Sequence, residues 1–123
     1  MDDENTNNKK FMKEMTSGVS SLVLLNALSQ TKEPMYGYQI AKQLKAEEEE
    51  TPVVKQGALY PVLRSLEKSG LLSSEVEPSV SGPPRRYYSI TKLGRSTLAT
   101  WNKIWSQTKN FVDRNVEGEN NDN

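Results

Sequence analysis

The sequence predicts a mainly α-helical domain with one small β-hairpin and a long C-terminal helix. Three observations predict it. Apolar residues recur at helical spacing in four separate stretches. The cluster "SVSGPP" divides two segments of alternating residues. After Thr91 a seven-residue apolar repeat runs almost to the end of the chain.

Residues 1–8 and 116–123 are polar and rich in Asn, Asp and Glu, so both are expected to be disordered tails. Phe11, Met15, Val19, Leu22, Val23, Leu25 and Leu28 predict a first helix over roughly 10–29. It turns apolar on nearly all sides at "LVLLNAL", so its second half should be buried on several sides. Gly18 marks a bend or a close helix crossing in its middle. Gly37, Ile40, Ala41 and Leu44 share one face of a second helix, about 37–46, and Glu33-Pro34 separates it from the first. "EEEE" at 47–50, followed by Thr51-Pro52, reads as a solvated acidic loop. It is no metal site, because consecutive carboxylates repel and lack the spaced ligands of a calcium loop.

The third helix lies in "KQGALYPVLRSLEKSGLL". Leu59, Val62, Leu63 and Leu66 form its apolar stripe. Proline has no N–H to lose, so Pro61 costs little only in a first turn, which places the start near Gly57 or Ala58. Gly70 fits a left-handed stop. Leu72, Ser74 and Val76 then alternate with polar neighbours, and Arg86, Tyr88 and Ile90 alternate with Arg85, Tyr87 and Ser89. These are the two strands of the hairpin, and the second begins with two arginines. Thr91 is a good N-cap for a fourth helix over about 91–115. Leu98, Trp105 and Val112 recur every seventh residue, with Trp101 and Thr108 between them and Ile104 and Phe111 beside them. Such a helix is roughly 35 Å long at the standard rise. A small domain cannot cover that stripe along its whole length, and a second copy of the chain is the simplest cover.

With 123 residues, 34% hydrophobic and 26% charged, the chain is sized for one domain with a small core. Net charge is zero but unevenly spread. Residues 1–4 carry −3 and residues 113–123 carry −3, whereas nine Lys and Arg face three Glu between 51 and 112. A basic centre matters more to a polyanionic partner than the total. There is no Cys and no His, which excludes thiolate zinc sites, Cys nucleophiles, His bases and disulfides. The acidic start is unlike a signal peptide, and no apolar run approaches a membrane span. A cytoplasmic location, with no metal, cofactor or membrane partner, is the expectation.

Residues 9–90 thus read as a winged helix-turn-helix, followed by a dimerisation helix at 91–115. A helix entering the major groove by its N-terminal end would offer Lys55, Gln56, Gly57, Ala58 and Tyr60, with Pro61 and Arg64 on its outward side. Gln56 can read adenine, Gly57 and Ala58 let the backbone approach, and Lys55 and Arg64 can neutralise phosphates. Tyr36 at the head of the second helix is grouped with them. The hairpin tip from Ser81 and Gly82 to Arg85 and Arg86 can reach a neighbouring backbone or minor groove. Each residue also has a plainer reading. Tyr60 and Tyr88 fit rim packing, and Tyr87 should pack against the core. Arg64 fits a member of solvated ion pairs, and Arg85-Arg86 fit two merely solvated side chains. Trp101 and Trp105 fit a core or dimer seam better than a ligand platform.

"MYGYQIAKQL", "GALYPVLRSLEKSGLLSSE" and "GPPRRYYSITKLGRSTL", in this order and spacing, resemble the PadR family of bacterial transcriptional regulators. The resemblance covers roughly residues 19–115. The single long final helix is similar to the smaller subfamily, which includes a lactococcal multidrug-sensing repressor. It implies a homodimer joined by the first and fourth helices, through Phe11, Met15, Val19, Leu22, Leu98, Trp101, Trp105, Thr108 and Val112. It implies a palindromic double-stranded DNA operator, and release by a small molecule, such as an aromatic effector, or by another signal. In multidrug-sensing relatives a tryptophan eleven residues after the glycine of a T-x-x-G motif lines a flat pore. Thr91-Lys92-Leu93-Gly94 is that motif here and Trp105 holds that position, so Met15, Trp101 and Trp105 are the candidate effector site. Two positions depart from the pattern. Ala58 replaces the Ser or Thr of many relatives, and Trp101 adds bulk that can fill the pore.

The expected function is therefore that of a dimeric repressor, not an enzyme, released by a planar aromatic drug or phenolic compound. The alternative is a winged-helix protein–protein interaction module without ligand sensing, whose binding would lack steep salt dependence.

Overall fold

The computed structural model describes residues 3–47 and 56–118. In chain order the elements are α1 (Asp3–Ser29), β1 (Met35–Tyr36), α2 (Gly37–Glu47), α3 (Gln56–Lys68), β2 (Leu72–Glu77), β3 (Arg85–Ile90) and α4 (Lys92–Glu117). The acidic run at 48–50, Thr51-Pro52, Lys55 and the tail at 119–123 lie outside the described residues.

α1 is longer than its apolar stripe. It begins at Asp3, so residues 3–8, expected as a tail, form its first turns. Asp3 and Glu4 there complement the partial positive charge of the helix N-terminus. The helix runs unbroken through Gly18. A Cβ at that glycine would meet nothing within 4 Å, so no close crossing within the chain occurs there. The second half behaves as its composition dictates. Leu24, Leu25, Ala27 and Leu28 are all buried.

α3 starts at Gln56, so Pro61 falls just beyond the first turn, where its missing N–H leaves the Gly57 carbonyl without its helical partner. Leu59, Leu63 and Leu66 are buried, and Val62 packs against them. The helix ends as predicted. Gly70 adopts φ 84°, its N–H donates to the Glu67 carbonyl, and the Leu71 N–H donates to the Leu66 carbonyl.

The hairpin has the expected alternation. β2 and β3 are antiparallel, with Leu72 opposite Ile90, Ser74 opposite Tyr88 and Val76 opposite Arg86. A third strand joins them. β1, two residues long, pairs with the other edge of β3, so β3 is central. The face that carries Ile90 turns inward. That makes Tyr88 the core tyrosine, 3% exposed, while Tyr87, expected to pack against the core, is only half-buried.

Thr91 caps α4, its hydroxyl accepting from the Gly94 N–H at 2.9 Å and donating to the Gly70 carbonyl at 2.7 Å. Gly94 is required for close approach, because a Cβ there would collide with the Leu71 carbonyl oxygen. The helix continues past the expected limit to Glu117 and stops at Gly118, φ 65°. Residues 116 and 117, expected in the tail, are thus its last turn.

One core holds these elements together. Leu24, Leu25 and Leu28 of α1 meet Ile40, Leu59, Leu63, Leu66, Leu72, Tyr88 and Leu98. Beyond Trp101 the situation changes. Every residue of α4 from Asn102 to Glu117 is exposed apart from half-buried Asp113.

Candidate nucleic-acid interface

The wing arginines leave β3 at its first two positions, on opposite faces of the strand. Arg85 lies opposite Glu77 in the register. Its guanidinium carbon sits 4.6 Å above the Tyr36 ring centre, a cation–π contact. Tyr36 meets Tyr87 edge-on at 5.3 Å and stacks with Tyr38 at 6.3 Å. The short strand β1 makes this possible, since it pairs Tyr36 with Tyr87.

Arg86 takes another route. Its Nη1 donates to Ser74 Oγ at 2.9 Å, and Ser74 Oγ donates to Glu67 Oε2 at 2.6 Å. Beside this chain lies Tyr88. Burial, and then the Glu67 charge, push its phenol above the ordinary 10.0, with Arg86 and Arg64 pulling the other way.

The exposed face of α3 supplies Tyr60, Arg64 and Lys68. Tyr60 lies over Gly37, and a Cβ on that glycine would overlap the ring. Tyr60 thus packs at the α2–α3 contact, as its plainer reading expected, and leaves 46% of its surface open.

These side chains line an open cleft of about 650 Å³ between the start of α2, α3 and the wing. Tyr36, Tyr38 and Tyr60 supply aromatic surface, with buried Tyr88 at the floor. Arg64, Lys68, Arg85 and Arg86 supply positive charge, and Glu67 is the one carboxylate in the lining. Such a surface can hold an anion while offering flat apolar faces to rings or sugars.

Of the residues singled out in the sequence, Tyr36, Tyr60, Arg64, Arg85 and Arg86 converge here. Gln56, Gly57 and Ala58 form the first turn of α3. Pro61 is exposed but outside the lining, as are Ser81 and Gly82 at the hairpin tip. Gly82 adopts φ 101°, and Ser79 Oγ donates to the Ser81 carbonyl at 2.7 Å. Sequence reasoning passed over Tyr38, Glu67, Lys68 and Ser74. Lys68 was within reach of it, being four residues after Arg64 on the same helical face. Fully exposed Val80 at the tip was missed as well.

A second concavity, about 860 Å³ and mostly apolar, runs between α1 and α4. Met15, Val19, Leu22, Trp101, Trp105, Thr108 and Val112, all expected at a dimer seam, line it. Phe11 is 63% exposed but outside the lining. Leu98 differs. It is already buried within the single chain, so it has little surface left for a partner. Trp101 packs partly against the same core, whereas Trp105 stays 43% exposed. Asn26 of α1 and Asn102 of α4, outside the lining, exchange side-chain hydrogen bonds at 3.1 and 3.2 Å. Within the lining Lys109 pairs with Asp113 at 2.9 Å, and that hydrogen bond raises the Lys109 pKa.

Among the described residues no group of His, Cys, Asp and Glu is arranged to hold a metal ion, and no helix is long and apolar enough to cross a membrane.

Comparison with known proteins places this geometry. Residues 24–100 match the model of the transcriptional regulator PadR-like family. A PadR family transcriptional regulator from Eggerthella lenta superposes with a TM-score of 0.74 at 29% identity, covering 94% of this chain and 97% of that one. A PadR-like transcriptional regulator from Bacillus cereus gives 0.68 at 30% identity, covering 86% and 99%. An HTH-type transcriptional regulator of Methanothermobacter thermautotrophicus is 40% identical over 60 residues, which are 44% of each chain.

Proposed function

The chain belongs to the PadR-like family of transcriptional regulators, and from that premise we propose that it is a dimeric, operator-binding repressor whose affinity for DNA is set by a small aromatic effector. As a member of that family it is a regulator and not an enzyme. The observation that carries the DNA-binding part is the convergence of four cations with Tyr36, Tyr38 and Tyr60 on the open cleft between the start of α2, α3 and the wing.

In this reading α3 enters the major groove by the end that holds Gln56, Gly57 and Ala58. Arg64 and Lys68 face phosphates, and Arg85 and Arg86 meet the flanking backbone. Two copies joined along α1 and α4 present two such faces. A palindromic operator with half-sites about 34 Å apart matches that symmetry. The apolar groove beside Trp105, still open in the single chain, supports both the pairing and an effector site. A planar aromatic compound held between the Trp105 side chains of the two copies would act by binding one inter-subunit arrangement better than the other.

Selection of bound fragments from random DNA, followed by anisotropy titration, tests the DNA-binding part. A palindromic consensus is the expected result. Arg85→Ala with Arg86→Ala should weaken binding about tenfold or more at every sequence, and flatten the salt dependence by about one to two counterions. Binding that ignores salt, or that survives this double substitution, would instead favour a protein-docking module. Quenching of tryptophan fluorescence across a panel of planar aromatic compounds tests the effector, with Trp105→Ala expected to remove the response.

A further inference from the structure

Glu67 is out of place by charge. It lies on α3 in a cleft whose other charged residues are all cations, on the face given above to DNA, where a carboxylate repels phosphate. Among the described residues no Lys or Arg nitrogen pairs with it directly. Its Oε2 instead accepts from Ser74 Oγ at 2.6 Å, and the same Ser74 oxygen accepts from Arg86 Nη1 at 2.9 Å.

The polarity of this chain is fixed by its members. A serine hydroxyl has one hydrogen and two lone pairs, an ionised carboxylate only accepts, and a guanidinium only donates. With Glu67 at one end the Ser74 hydrogen must point towards it, which turns the oxygen lone pairs to Arg86. Two opposite charges on two elements are thus joined through a hydroxyl on a third. α3 supplies the carboxylate, β2 the hydroxyl and β3 the guanidinium. The register supports the contact, since Ser74 lies opposite Tyr88 and Arg86 is two residues before Tyr88 on the same face. Arg86 gives one of its N–H groups to Ser74 and keeps the rest for a ligand. A free arginine must lose its rotamer freedom on binding, whereas a held one has already lost it.

We infer that Glu67 and Ser74 are positioning residues for DNA binding: through the Ser74 hydroxyl, the Glu67 carboxylate of α3 holds the Arg86 guanidinium of the wing, so helix and wing meet the duplex as one preset surface. This rests on the reading that the wing contacts DNA. It accounts for an acid in a basic cleft, because the repulsion Glu67 exerts on phosphate is offset by the arginine it aims.

The test uses the full-length chain and a duplex recovered by selection from random-sequence DNA, with thermal melting of each variant as a check on folding. Ser74→Ala should weaken binding about fivefold, the scale of one hydrogen bond to a charged group at a partly exposed site. Ser74→Thr keeps the hydroxyl and suits a strand, so it should bind within about twofold of the parent. In an Arg86→Ala background, Ser74→Ala should cause no further loss, because the arginine it aims is gone. Three results would overturn the inference: parental affinity for Ser74→Ala, a Thr variant no better than Ala, or losses that multiply in the double variant. Parental affinity for Arg86→Ala would overturn it in another way. It would remove the wing contact itself, and with it that part of the DNA-binding reading, whereas the first three results leave the wing contact standing.

Discussion

The two halves of α1 have similar helical backbones and opposite surroundings. From Leu24 to Leu28 the leucines are 0–1% exposed, packed by α3, the sheet and the start of α4. Between two and four turns before Leu24, Met15 is 43% exposed and Phe11 63%. α4 repeats the contrast in reverse order, with Leu98 at 5% and Trp105, Phe111 and Val112 between 43% and 60%. The winged half thus completes its own core, while the two arms present an apolar groove that none of the described residues covers. This is the surface that the proposed dimer would cover. The lesson is that one helix serves two purposes, and the boundary falls at the Asn26–Asn102 pair.

The comparison breaks most directly in the core. Leu63 has no exposed surface, and Leu63→Ala leaves a cavity that neighbouring helices cannot close. We expect a loss of about 3 kcal/mol in folding stability. Denaturant titration should show the same loss at every protein concentration, because the cavity lies wholly within one chain.

The winged half was also the more legible one in the sequence. The Leu59–Leu66 stripe, the left-handed stop at Gly70, the Thr91 cap and the hairpin alternation each follow from a local rule, and the fold obeys each. What escaped had no such rule behind it. β1 is two residues long, too short for any period to appear, yet it brings Tyr36 beneath Arg85. The start of α1 carries no apolar residue before Phe11, so no stripe announced it. Tyr87 and Tyr88 were separable by phase, since Tyr88 shares its face with Ile90. The Glu67–Ser74–Arg86 chain joins three elements and was invisible to any reading along the chain. The length of α4 was legible for a different reason: its heptad series runs past the part that the domain covers, and those residues are exposed.

A substitution in the arms should give the opposite profile. Trp105→Asp places a charge in the α1–α4 groove but removes nothing from the core. In the proposed dimer it should weaken association by ~2 kcal/mol, the scale of a buried aromatic anchor. Sedimentation equilibrium should then detect single chains at micromolar concentration. The melting temperature should lose its dependence on protein concentration, which a coupled assembly would otherwise show. If Trp105→Asp lowers stability as Leu63→Ala does, at all concentrations alike, the division between a finished half and an unfinished one is wrong.

The smallest effect concerns a single proton in the finished half. Tyr88 is 3% exposed, and its phenol is held above 10.0 first by burial and then by the Glu67 carboxylate, against the pull of Arg86 and Arg64. A raised folded-state value means that the native chain keeps a proton that the unfolded chain releases as pH climbs past 10.0. The resulting stabilisation is fully present below the unfolded value and is lost as pH rises through the folded one. Denaturation midpoints measured between about pH 9 and about pH 11 should therefore fall more steeply for the parent than for Tyr88→Phe, which has no proton to lose. Phenylalanine fills the same space on the inward face of β3, so the two proteins should differ in slope more than in stability near neutrality. A matching alkaline slope in both would mean that water reaches the phenol, and the core would then end one layer short of the wing arginines.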